Sequence, residues 1–146
     1  MENNTHLQGN YALGRSSAMS LIPKNTSAIS ATCKVLPQIK DIFISNSYRV
    51  PTNIVSSADI VMHIKEKTSL DEIKEIFTKF HKENPSILAN NNEGLISSDF
   101  IGSETSTTVD LRFLKVSDHF IKLICWYDNE WGYSSRVVDL AKYIIK

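Results

Sequence analysis

The sequence predicts an α+β fold: one mixed, largely antiparallel sheet with helices packed on one face. Three observations carry this. The periodic segments group as helix, two strands, helix, several strands and a last helix, instead of alternating strand and helix as in a doubly wound fold. The late strands are joined by short polar turns, which favour antiparallel neighbours. Finally, 146 residues of which 42% are hydrophobic are enough to bury one ordinary core.

Residues 1–11 are polar, have little to bury and read as a tail, with one domain spanning 12–146. Ala18 to Ile22 is a short strand into Pro23. Thr26 or Ser27 then caps a helix that runs to about Leu36, where Pro37 stops it. Asp41 to Val50 reads as a strand, apolar first and alternating later, ended by Pro51.

Asn53 to Ile64 is a second strand with Ile60, Met62 and Ile64 on one face, interrupted near its start by Ser57, Ala58 and Asp59. His63 falls on the other face and reads as a solvated or packed strand residue, not as a ligand. Ser69-Leu-Asp-Glu72 is a capping box, and Leu70, Ile73, Ile76, Phe77 and Phe80 follow at helical spacing to about His81. The charged face of this helix is read as solvated surface.

Asn84 to Gly94 holds a short strand and a turn-rich loop; Leu95 to Ile101, Ser106 to Val116 and His119 to Tyr127 read as strands. The last helix, Gly132 to Ile145, is apolar on more than one face, with Val137, Val138, Leu140, Ala141, Ile144 and Ile145. An uncovered outer face of that kind is expected to drive association.

Composition excludes several classes. Sixteen basic residues balance sixteen acidic ones, so no electrostatic case exists for nucleic acid or an anionic membrane surface. Cys33 and Cys125 lie far apart, with no Cys or His at metal-ligand spacing, and both read as small buried hydrophobes. No apolar stretch approaches the roughly eighteen residues of a membrane span and the first ten residues lack an apolar core, so the default compartment is the cytoplasm.

Chemistry concentrates at three places, each with two readings. Asp128, Asn129 and Glu130 crowd a turn between Trp126 and Trp131, with Gly132 free to take a backbone angle other residues resist. They either cap their own turn or form a site. Thr26 and Ser27, near Lys24, either cap their helix or seat an anion on its free amides and dipole. Arg49 offers a planar fork suited to a phosphate, or pairs with a carboxylate at the rim.

Trp126-Tyr-Asp-Asn-Glu-Trp-Gly-Tyr133, followed by Ser-Ser-Arg-Val-Val-Asp-Leu140, resembles the carboxy-terminal signature of the phosphorylating glyceraldehyde-3-phosphate dehydrogenases. Gly14-Arg-Ser-Ser-Ala-Met-Ser-Leu-Ile-Pro23, Lys34-Val-Leu-Pro37, Tyr48-Arg-Val-Pro-Thr52, Ser97-Ser-Asp-Phe100 and Ser106-Thr-Thr-Val-Asp110 resemble that family's catalytic domain in the same order. The resemblance implies that domain's fold and a reaction in which an aldehyde phosphate is oxidised by NAD or NADP through a thioester, which inorganic phosphate then attacks. It implies that Thr26 and Ser27 hold inorganic phosphate, with Ser27 standing where the family has Gly. It implies that Arg49 grips the substrate's phosphate, that Asn129 orients the nicotinamide carboxamide and that Tyr133 packs nearby.

By the same resemblance the chain starts after the family's nucleophilic Cys, so no catalytic residue is assigned and the nucleotide-binding half is expected from another chain. No Gly-x-Gly-x-x-Gly occurs among these residues. His6 is either a counterpart of the family's general base or a chance His, since only eight residues separate it from Arg15. The expected function is therefore that of a catalytic half inactive alone, in a homo-oligomer as family tetramers suggest. The alternatives are a non-catalytic remnant or assembly module, and a part of the related enzyme acting on erythrose 4-phosphate.

Overall fold

The computed structural model describes residues 18–145. They fall into two compact units divided between Asn53 and Ile54.

In the first unit, β1 (Ile22–Lys24) pairs antiparallel with β2 (Ser47–Arg49), in the register Ile22↔Arg49 and Lys24↔Ser47. Both strands are edges, so Pro23 is tolerated inside β1 despite its missing N–H. The strand therefore includes the proline instead of ending before it. Helix α1 (Ala28–Val35) follows, and a short 3-10 turn, Pro37–Ile39, ends the run. The long strand expected over 41–50 is reduced to Ser47–Arg49. The amides of Lys40, Ile42 and Phe43 turn back onto the carbonyls of Pro37 and Ile39, which removes them from any ladder.

The second unit is a four-stranded mixed sheet in the order β3-β6-β5-β4. Its strands are β3 (Ser56–His63), β4 (Leu88–Asn91), β5 (Thr107–Ser117) and β6 (Phe120–Tyr127). The β5–β6 and β3–β6 pairs are antiparallel, as short turns dictate, whereas β4 runs parallel to β5. A parallel pair needs a long crossover, here residues 92–106, and the strand expected at 95–101 within it does not form. In its place Ser97–Phe100 is a 3-10 turn, held by the Asp99 carboxylate accepting from the Ile96 amide at 2.8 Å. β3 starts later than expected because Val55 sits at φ +72°, a strained angle for a β-branched residue.

One face of this sheet is the core. Val109, Leu111 and Leu114 of β5 and Ile121, Leu123 and Cys125 of β6 are buried together with Ile73 of helix α2 (Leu70–Glu83). A register break between Asp110 and Lys115 keeps both Leu111 and Leu114 inward. Ala58 and Ile60 extend this face onto β3, with Ile64 just past its end, so Ala58 joins the inward set and does not interrupt it. The α2 capping box forms as expected: Glu72 N–H donates to Ser69 Oγ at 3.2 Å and Ser69 N–H donates to Glu72 Oε2 at 2.7 Å. Of the apolar stripe on α2, Ile73 and Phe77 reach the sheet, while Ile76 and Phe80 stay exposed. Helix α3 (Trp131–Ile145) follows β6 and buries only Gly132.

Candidate functional site

Thr26, Ser27 and Arg49 lie in the first unit. The Ala28 amide donates to Thr26 Oγ1 at 3.1 Å, so Thr26 closes the start of α1. Ser27 holds the cap position at φ −79° and ψ −5° with no side-chain capping bond, and its hydroxyl is exposed. Arg49, opposite Ile22 on the ladder that leads into α1, is exposed and forms no ion pair among the described residues. The carboxylate-bound reading of this arginine thus has no partner there.

Asn129 and Tyr133 lie in the second unit, at the β6–α3 turn. Asp128 builds that turn. Its Oδ1 accepts from the amides of Glu130 and Trp131, each at 2.9 Å, and its Oδ2 accepts from the Gly102 amide at 2.9 Å. The side chain is only 1% exposed. Burial alone would raise its pKa, but the three backbone N–H bonds outweigh that and hold the carboxyl below its ordinary value. Asp128 is therefore an ionised cap of α3 that also anchors the preceding loop.

Asn129 stands exposed on this support, its Oδ1 accepting from Ser56 Oγ at 3.4 Å. Tyr133, one helical turn on, is 73% exposed. Gly132 is needed for space and not for an unusual angle: it lies inside α3, and a Cβ there would stand 2.9 Å from the Thr105 carbonyl oxygen. The left-handed glycine is Gly102, at φ +80°.

A second buried carboxylate, missed in the sequence, lies beneath the turn. Both oxygens of Asp110 are engaged: Arg112 Nε donates to Oδ1 at 2.8 Å, Arg112 Nη2 to Oδ2 at 2.6 Å, and Trp126 Nε1 to Oδ2 at 3.0 Å. Burial pushes this carboxyl up, and the hydrogen bonds from Arg112 and Trp126 more than reverse it. Phe100 stacks on Trp126 with ring centroids 5.7 Å apart. The 97–102 loop is thus tied to β6 through Phe100 on Trp126 and to the turn after it through Gly102 on Asp128. Arg136 fastens α3 from the other side, donating to the Ser86 carbonyl and to Ser106 Oγ. An Asp and an Arg two apart on one strand face were the available signal, but Trp126 joins them only through the register Thr108↔Trp126.

Cys125 is buried, and burial raises its thiol pKa, partly offset by a hydrogen bond involving Thr107. A thiol kept protonated in an apolar wall is packing, not a nucleophile. Cys33 is half-buried on α1, less enclosed than a core residue. His6 and Arg15 lie outside the described residues.

The exposed Asn129 carboxamide, its oxygen engaged by Ser56, has N–H donors to offer an amide oxygen, which fits the nicotinamide end of a dinucleotide. The described residues contain no Gly-rich turn for the adenosine end.

The second unit is a mixed sheet with a carboxylate-capped strand-to-helix turn, the architecture of an α+β domain. The chain belongs to the family described as glyceraldehyde 3-phosphate dehydrogenase, C-terminal domain, whose profile matches residues 2–129. It is 40% identical over 135 residues to the cytosolic glyceraldehyde-3-phosphate dehydrogenase of Chlamydomonas reinhardtii, covering 91% of this chain and 40% of that protein. The cytosolic enzyme of Sinapis alba is 39% identical with the same coverage. The glyceraldehyde-3-phosphate dehydrogenase of Phytophthora infestans is 40% identical, over 91% of this chain and 41% of its own. The chain thus spans about 40% of the length of these relatives.

Proposed function

We propose that residues 12–146 act as the catalytic, substrate-binding half of a phosphorylating glyceraldehyde-3-phosphate dehydrogenase-like oxidoreductase in the cytoplasm. In this reading Thr26 and Ser27 seat inorganic phosphate and Arg49 grips the phosphate of the aldehyde substrate. Asn129 orients the carboxamide of NAD or NADP, and Tyr133 packs beside it. The bound nicotinamide supplies the hydride acceptor. This chain's own groups hold two anions and one amide, and the caps at Asp128 and Thr26 fix the backbone that carries them.

The observation that supports this best is the β6–α3 turn. The Asp128 carboxylate is consumed by backbone amides, while Asn129 and Tyr133, the two residues assigned to the cofactor, remain exposed. The nucleophilic Cys and the adenosine site come from residues outside this sequence, in the same polypeptide or another. The 146 residues alone are then inactive, and a homo-oligomer forms around the complete unit.

A non-catalytic role as an assembly module is favoured by one observation, the Ser27 side chain where the family has Gly. One assay separates the two: reduction of NAD or NADP with glyceraldehyde 3-phosphate and phosphate, by the chain alone and after addition of a nucleotide-binding half bearing the Cys. Activity in the mixture only establishes the half-enzyme. No activity in either, with the chain folded, favours a non-catalytic remnant or module, and turnover by the chain alone removes the premise that the nucleophile lies elsewhere. Running erythrose 4-phosphate in parallel fixes the substrate length.

A further inference from the structure

We propose that His63 and His119 together form a binding site for a borderline divalent transition metal such as Zn2+, with water completing its coordination. The site lies on the β3 end of the second unit and is independent of the dehydrogenase reading.

Three features of the geometry carry this. The rings are 5.9 Å apart between centroids and tilted by 35°. Two imidazoles that share one tetrahedral ion through nitrogens at about 2.0–2.1 Å have ring centres about 5.3 Å apart, so the observed spacing is within reach of a chelating pair after a small rotation of the side chains.

The second feature is the tautomer of His119. Its Nδ1 lies 3.2 Å from the Ile64 carbonyl oxygen. A carbonyl can only accept, so Nδ1 carries the proton and the lone pair resides on Nε2. A backbone carbonyl holding one ring nitrogen while the other binds the ion is the usual outer-shell arrangement of a metal-bound histidine. The Ile64 amide in turn donates to the His119 carbonyl at 2.8 Å, which locks the backbone on which the ring stands.

The third is the support of His63. The β3–β6 register sets it opposite Phe120, whose ring meets the imidazole edge-on at 5.0 Å. His63 has no hydrogen-bond partner among the described residues, and it is exposed while His119 is half-buried, so an ion and its waters can reach both. No group of three or more metal-ligating side chains occurs among the described residues. The site therefore has two protein ligands, and its effect is to staple the end of β3 to the Asp118–His119 turn of the β5–β6 hairpin.

The test is a Zn2+ titration of the full chain, after chelator treatment, followed by calorimetry and by histidine-ring NMR. The expected result is one saturable equivalent that moves the ring signals of His63 and His119 and leaves those of His81 and His6 in place. His63→Ala, a change at an exposed strand position, should weaken binding by more than about tenfold, as should His119→Ala, while His81→Ala should not. Unaltered Zn2+ binding by His63→Ala, stationary His63 and His119 signals, or no saturable binding by the wild-type chain would each overturn the proposal. Circular dichroism on each variant shows whether it is folded, and the His63 variant decides the matter if His119→Ala disrupts the hairpin.

Discussion

Asp128 and Gly102, far apart in the chain, are joined by a 2.9 Å hydrogen bond from the glycine amide to a buried carboxylate oxygen whose partner oxygen caps α3. One side chain therefore fixes both the loop before β5 and the helix after β6. Replacing it removes two kinds of support at once. A lost N-cap costs about 1 kcal/mol, and a lost hydrogen bond to a charged group about 1.5–3 kcal/mol. Asp128→Ala should lower the free energy of unfolding by about 2–4 kcal/mol in urea titrations. Asp128→Asn, which keeps an acceptor for the cap, should lose less; equal losses would mean that the cap acceptor contributes nothing and that the charge and the Gly102 bond carry the whole effect.

The acid limb of the stability curve should carry the same signature. Asp110 and Asp128 both have pKa values depressed in the folded state, because the hydrogen bonds they accept outweigh their burial. A depressed carboxyl contributes stability that is fully present above its unfolded pKa, about 3.9, and is lost as pH falls through the lower folded value. Unfolding free energy measured between about pH 5 and pH 2 should therefore fall. Asp128→Asn and Asp110→Asn should each flatten that fall, and a variant whose slope matches wild type has no such linkage.

The two glycines near the turn should respond differently to alanine. At Gly132 the new Cβ would meet the Thr105 carbonyl oxygen at 2.9 Å, so the loop or the helix has to shift. A loss of about 1–3 kcal/mol is expected, as for overpacking elsewhere. At Gly102 nothing lies within 4 Å, but φ is +80°, and the loss is about 1–2 kcal/mol from the backbone alone. Gly132→Ala displaces the start of α3 directly and should disturb the Asn129 amide signal in an NMR spectrum more than Gly102→Ala, which reaches that turn only through the Asp128 bond.

These contrasts show what a sequence can carry. The α2 capping box, the β5–β6 hairpin and the terminal helix were legible because their signals are local: a Ser-x-x-Glu spacing, an apolar alternation, a helical period. The 41–50 and 95–101 segments were misread because their apolar residues satisfy a strand pattern while their amides are spent on nearby carbonyls and on Asp99. The roles of Thr26, Ser27, Arg49, Asn129 and Tyr133 came from resemblance. Asp128 as a local cap was readable, but its bond to Gly102 was not, and neither was the Asp110–Trp126 contact, which depends on a register broken inside β5. His63 and His119 show the same limit, since spacing along the chain says nothing about residues that only sheet pairing brings together.

The outer face of α3 gives a test of assembly. Val137, Leu140 and Ile144 recur at helical spacing and are 47%, 58% and 72% exposed, a contiguous apolar stripe with nothing over it among the described residues. A stripe of this kind on an isolated chain lowers its free energy by meeting another apolar surface, at roughly 25 cal/mol for each Å² removed from water. The chain should therefore self-associate with rising concentration in sedimentation experiments. Leu140→Lys with Ile144→Lys should shift it toward the monomer, without loss of helix signal, because lysine is itself a good helix former. If the wild type stays monomeric up to high concentration, the stripe is not an interface between copies. If both proteins associate equally, the contact lies elsewhere, and the exposed Ile76 and Phe80 of α2 are the next positions to charge.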